Sequence, residues 1–164
     1  MDRIAVVYYS LDGHTHFVVE KIKERLACTV IRLRLQKEFS TEHTFLKYFW
    51  AGKSSVFHEK PVLKNPKMDL DSYDTLIIAT PVWAGNLSSP VRSFLASRSF
   101  DGKRVFLVAT NSGGSFKKCF ATMEKLLPTA TIIRETGFIN ITEATYPSQQ
   151  QQLEDLCTEV VEES

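Results

Sequence analysis

The sequence predicts an α/β domain built on a doubly wound, five-stranded parallel sheet with helices on both faces, and three observations point there. Apolar runs without polar alternation recur at Ile4 to Tyr9, Thr75 to Ala79 and Val105 to Ala109, the pattern of strands covered on both sides. Amphipathic stretches separate them: Val18, Val19, Ile22 and Leu26 share one helical face, as do Phe116, Phe120, Met123 and Leu127, which marks core-facing stripes. Small, polar runs follow three of the strands and open the next helix, where sheets of this kind bind ligands.

Taken in order, the first strand and its helix are followed by a second strand around Thr29 to Leu35. The segment 36–72 is long for a crossover. Phe45, Leu46, Phe49 and Trp50 suggest a short helix ending at Gly52, then an irregular strap marked by prolines. Its aromatic residues could border a ligand, but closing the core is the reading we favour. Beyond the third strand, Ser89-Pro90 supplies a cap and a first-turn proline. The fifth strand falls within Ala130 to Ile141, and Ser148 with Gln151 has capping-box spacing ahead of Leu153, Leu156 and Val160. Gln149 to Gln152 then form a solvated first turn. No linker composition divides the chain, so residues 1–164 are expected to form a single domain.

Composition narrows the function. Twenty basic against nineteen acidic residues give a formal charge of +1, which supplies no broad field for nucleic acid. Ile4 to Tyr9 is too brief for a signal-peptide core or a membrane span, so a cytoplasmic protein without membrane contact is expected. Cys28, Cys119 and Cys157 show no CxxC pair or metal rhythm and are expected to be reduced. His14 and His16 should not share a metal, because helical positions two apart point in different directions. His43 and His58 are expected to be polar residues of the insertion.

The chemistry lies in three loops at one sheet edge. After the first strand, Ser10-Leu11-Asp12-Gly13-His14-Thr15 combines hydroxyls and a glycine at a helix N-terminus, which is anion-binding chemistry. For Asp12 a helix-capping role competes with ligand contact. The loop has neither GxxxxGK nor GxGxxG. After the third strand, Thr80-Pro81-Val82-Trp83-Ala84-Gly85-Asn86 places a planar Trp where it can stack on a planar ligand, the alternative being that it covers the sheet edge. After the fourth, Thr110-Asn111-Ser112-Gly113-Gly114-Ser115 reads as a second backbone wall, or as a plain capping turn.

Together these loops resemble the flavodoxin family. Ser10 to Thr15 resembles its phosphate loop, commonly Ser-x-Thr-Gly-Asn-Thr, and Pro81-Val82-Trp83-Ala84-Gly85 resembles its first flavin loop. The resemblance implies strand order 2-1-3-4-5, counted along the chain, and FMN as cofactor. Phosphate would lie on Ser10, Asp12, Gly13, His14 and Thr15. The flavin ring would lie beside Pro81, Val82, Trp83, Ala84, Gly85 and Asn86 and beside Thr110, Asn111, Ser112, Gly113 and Gly114, with Trp83 stacking on it. Ala84 to Asn86 would hold the peptide that flips to accept a hydrogen on flavin N5. Asp12 stands where the family usually has Thr, and His14 replaces the common Asn. The Tyr that often covers the outer flavin face is missing from the second flavin loop, so that face is open or covered by the insertion.

The expected function is FMN-dependent electron transfer to a redox partner protein. An FMN-dependent NAD(P)H oxidoreductase acting on a quinone or other small acceptor is the alternative, and a non-redox module for a phosphorylated ligand or protein partner the third reading. No catalytic residue is assigned, and monomer and homodimer are both left open. Carrier flavodoxins tend to be strongly acidic, which disfavours the anionic reduced flavin. A near-neutral chain is therefore expected to have a higher potential for the second electron.

Overall fold

The computed structural model describes residues 3–38, 53, 59–65 and 67–164. The predicted helix over Phe45 to Gly52 lies outside the described residues, as do His43, Phe57 and His58. Among the described residues the strands are β1 (Ile4–Tyr8), β2 (Thr29–Arg32), β3 (Thr75–Trp83), β4 (Asn86–Leu87), β5 (Arg104–Asn111) and β6 (Thr131–Ile139). The helices are α1 (His14–Lys23), α2 (Ser89–Ala96), α3 (Lys117–Lys125) and α4 (Tyr146–Glu163).

The main sheet runs β2-β1-β3-β5-β6 with every neighbour parallel. Setting the two-residue β4 aside, this is the predicted order. Alternate strand residues feed two cores. Val6, Tyr8, Ile77, Ala79, Phe106 and Val108 pack with Val18, Val19 and Ile22 of α1 and Leu153, Leu156 and Val160 of α4. Ala5, Val7, Leu76, Ile78, Val105 and Leu107 pack with Val91, Phe94 and Leu95 of α2 and Cys119, Phe120 and Met123 of α3. Full burial on both faces is why these strands read as continuous apolar runs.

Several boundaries differ from expectation. β3 continues to Trp83, so Pro81, Val82 and Trp83 are strand residues, and the turn that follows is the tip of a tight hairpin with β4. Proline is tolerated because parallel pairing of Pro81 with Thr110 lies at the end of that ladder. β2 stops at Arg32: beyond it Leu35 bridges antiparallel to Leu63, and Leu63 and Leu70 are buried in the core. The described part of the strap thus closes the α2/α3 side.

The cap of α2 is Ser88, one residue before the expected Ser89, and Pro90 sits in the first turn. The Ser88 hydroxyl accepts from Thr80 at 3.0 Å and makes no side-chain cap bond. α4 begins at Tyr146, ahead of the expected capping box, with Thr145 as its cap residue. The glutamine turn is only half solvated. Gln149 both donates to and accepts from the Ile139 backbone at 2.9 and 3.0 Å, and Gln152 donates to the Gly137 carbonyl. These amides satisfy backbone groups of edge strand β6, which would otherwise be open to pairing with another chain.

Candidate functional site

The loop between β1 and α1 is organised by its own side chains. Ser10 Oγ accepts from the backbone N–H of Gly13 and of His16, both at 3.2 Å. Asp12 Oδ1 accepts from the His14 N–H at 3.2 Å, and its other oxygen lies 3.6 Å from His14 Nδ1. Gly13 has φ 99° at the cap, a left-handed conformation in which a side chain is strained. Thr15 is fully buried, and its hydroxyl lies 2.8 Å from that of Thr110, tying this loop to the end of β5. The first-turn N–H of Thr15 has no helical acceptor. Asp12, one residue before the cap, thus accepts from the first helical N–H, a donor that an incoming anion would also draw on.

Two features of this corner were missed from sequence. Arg32 donates to the Ser10 carbonyl at 3.1 Å and lies 5.8 Å from the centre of the Tyr8 ring. His16 Nδ1 is 2.6 Å from the Tyr8 hydroxyl, and the two rings stack. The first depends on the pairing of Tyr8 with Arg32 across β1 and β2, and the second on how α1 packs over β1, neither of which a segment reveals alone. Burial raises the Tyr8 phenol above its usual range, and burial with the nearby Glu38 carboxylate does the same for Tyr9. Both remain protonated donors at neutral pH.

The hairpin after β3 has Ala84 at φ 49° and Gly85 at φ 79°. Positive φ at both central residues is the two-residue turn that suits strand twist, and Ala84 adopts it at a cost because it has a Cβ. Ala84 and Gly85 are exposed at the tip, whereas Asn86 is buried, its Oδ1 accepting from the Leu87 N–H at 2.9 Å. Trp83 is 6% exposed and packs edge-on against Tyr9, with ring centres 5.7 Å apart. Its position at the end of an extended strand turns it into the α2/α3 core while it also lines the loop cleft, so it serves the core beyond either use expected from sequence.

The third loop leaves β5 through Thr110 and Asn111 and ends at Phe116, which stands at the cap of α3. Ser112, Gly113 and Gly114 are exposed. Phe116 lies over Gly137 so closely that a Cβ there would meet its ring at 2.5 Å.

The three loops meet at the carboxyl ends of β1, β3 and β5. Asp12, His14, Pro81, Val82, Trp83, Thr110, Asn111 and Ser112 line one cleft of about 120 Å³. Of the remaining predicted residues, Ser10, Thr15 and Asn86 are buried, while Ala84, Gly85, Gly113 and Gly114 form exposed rims. A larger open groove of about 640 Å³ borders Arg25, Leu26, Glu154, Cys157 and Val161. It lies past the far end of α1, away from the loops, so volume is a poor guide here and loop chemistry the better one. Among the described residues no group of His, Cys, Asp and Glu is placed to hold a metal, and no helix is long and apolar enough to cross a membrane.

The family model described as Flavodoxin matches residues 3–151. The chain belongs to the flavodoxin family. The cofactor that goes with that membership is FMN. Solved flavoproteins share the flavodoxin architecture: one from Bacteroides eggerthii DSM 20697 superposes with TM-score 0.77 at 17% identity, covering 98% of this chain and 99% of that one. A flavoprotein in complex with FMN from Lactobacillus acidophilus NCFM gives 0.71 at 16%, covering 94% and 99%. An NADH:FMN oxidoreductase, solved in its apo form, gives 0.59 at 12%, covering 96% and 88%. These likenesses concern the fold. The local chemistry fits the flavodoxin cofactor independently, because a helix N-terminus beside hydroxyls suits a phosphate, and Val82 and Trp83 offer apolar surface along the cleft.

Proposed function

We propose that this chain is an FMN-dependent electron-transfer protein whose cofactor lies across the carboxyl edge of the sheet. The observation that carries the proposal is the convergence of three loops from separate parts of the sequence on one cleft. In this reading the α1 N-terminus, with Ser10, Gly13, His14 and Thr15, holds the phosphate through backbone N–H groups and hydroxyls. Asp12 turns its charge away toward His14. The β3–β4 hairpin, with Pro81 to Asn86, and the loop from Thr110 to Gly114 border the ring and exclude water from its faces. Peptide groups at the Ala84–Gly85 tip are the acceptors available to a proton on the ring.

Bound FMN supplies the electron-carrying ring, and the protein supplies position and electrostatics. The test is a visible spectrum of the purified protein with and without added FMN, followed by anaerobic photoreduction. Flavin bands that shift on binding and reduce in one-electron steps are expected; no uptake of FMN would overturn the proposal.

A second reading is an FMN-dependent reductase that takes hydride from NAD(P)H and passes electrons to a small acceptor. The near-neutral charge of +1 favours it, since such a surface offers little steering toward a basic protein partner. Aerobic oxidation of NADH or NADPH by the holoprotein separates the two, because a pure carrier does not turn over the nicotinamide.

A further inference from the structure

Arg92 stands in the first turn of α2, its N–H bonded to the Ser88 carbonyl at 3.0 Å. It is only 5% exposed, and both Nε and Nη2 are buried without a hydrogen-bond partner. Leaving a buried cation unpaired is costly, and an orphaned buried donor calls for an explanation. The adjacent ionisable group is the Cys119 thiol. Burial pushes that thiol up to about 12, so at neutral pH it is uncharged and offers no counter-ion.

The position of Arg92 is the second observation. α2 rises directly from the β3–β4 hairpin, and α3 rises from the Thr110 to Ser115 loop. Arg92 and Cys119 lie in the first turns of these two helices. Arg92 therefore stands where the two helices that rise from these loops meet, with the Cys119 thiol as its neighbour across them and outside the residues that line the cleft. Helical side chains lean toward the N-terminus of their helix, which here is the loop end.

We propose that Arg92 is the internal counter-charge of the site, a buried cation that binds reduced flavin more tightly than oxidised flavin. This rests on the FMN reading above. Two electrons and one proton, delivered as a hydride or singly by a redox partner, convert the neutral oxidised ring into a reduced ring bearing one negative charge. That charge would develop near the loop ends of α2 and α3, where Arg92 is a buried cation with Nε and Nη2 unbonded and little water to screen it, while Asp12 on the same cleft acts in the opposite sense. Reduction therefore supplies the partner that Arg92 lacks, and the potential of the couple rises.

The test uses the full chain and the variants R92M, R92Q and R92K. FMN affinity is measured in air for the oxidised form and under anaerobic dithionite for the reduced form. Potentials are measured by spectroelectrochemistry, and apo-protein melting is recorded in parallel. For R92M and R92Q the dissociation constant for reduced FMN should rise roughly tenfold or more, that for oxidised FMN by less than about threefold, with a matching fall in potential. R92K should stay within about threefold of wild type on both, since it keeps the charge.

Apo R92M should melt at or above the wild-type temperature, because an apolar chain replaces an unpaired buried charge. Equal weakening of both redox forms, or a lowered melting point with an unchanged potential, would make Arg92 a structural residue and overturn the inference. If R92M does not fold, R92Q and R92K decide by the same ratio. Wild-type protein that takes up no FMN would overturn both readings, and is distinguished by its spectrum before any variant is made.

Discussion

The turn after β1 is shaped mainly by its own side chains, with Thr110 and Arg32 as outside supports, and the hairpin after β3 is held mainly by its neighbours. In the first, Ser10 and Asp12 accept from N–H groups within six residues, so the loop keeps its shape by local bonds. In the second, Trp83 lies in a core assembled from β1, β5, α2 and the strap, Thr80 reaches Ser88 across the hairpin, and Ala84 is held at positive φ by the turn. A loop built from local bonds can be read from spacing. One built from distant contacts can be stocked with the right residues in sequence and still be misplaced.

The comparison makes unequal demands on substitutions, and Trp83→Ala should show the largest effect. It removes a core side chain as well as a wall of the cleft, so urea unfolding should show a loss of about 3 to 5 kcal/mol. FMN binding should weaken by about 1 to 3 kcal/mol if the ring lies against it. Full stability with weakened FMN would return Trp83 to a ligand-only role and break the contrast between the loops.

Gly137→Ala comes next. Its Cβ would press on Phe116 at the end of the third loop, with an expected cost of about 1 to 3 kcal/mol from overpacking. Suppression by Phe116→Leu would confirm the contact, and additive losses would argue against it.

Asp12→Asn sharpens the other side. The amide keeps an acceptor for the His14 N–H and removes a negative charge near the phosphate position. FMN should bind more tightly by about 0.3 to 1 kcal/mol, an effect that shrinks as salt rises. Weaker binding would mean that the carboxylate contacts the cofactor directly.

The smallest effect is expected at the hairpin tip. Ala84→Gly relieves a left-handed residue worth about 1 to 2 kcal/mol but adds unfolded-state entropy of about 0.5 to 1 kcal/mol. A net gain of about 0.5 kcal/mol in thermal unfolding of the apo-protein is the outcome to look for.

Much of this protein was legible before folding. The five strands of the main sheet and the core stripes of α1 and α3 follow from apolar runs and helical spacing, which are local properties, whereas the strand order and the family came from the resemblance of the three loops to flavodoxins. Element ends were less legible. The extension of β3 to Trp83 depends on pairing with β4 and β5, and the true cap of α2 depends on a hydroxyl spent on Thr80. The role of Gln149 was hidden as well, since nothing in a run of glutamines says that one lies against the edge of β6.

By itself, then, the sequence determined which segments become strands and helices and which residue types collect at one sheet edge, because side-chain period and turn chemistry act over a few residues. Only the tertiary structure decided that Arg32 reaches the Ser10 carbonyl, that Trp83 turns into the core and that Arg92 is buried without a partner. Each depends on strand register or on the packing of helices distant in sequence, and burial of a charge has no sequence signal until the surfaces that exclude water have met.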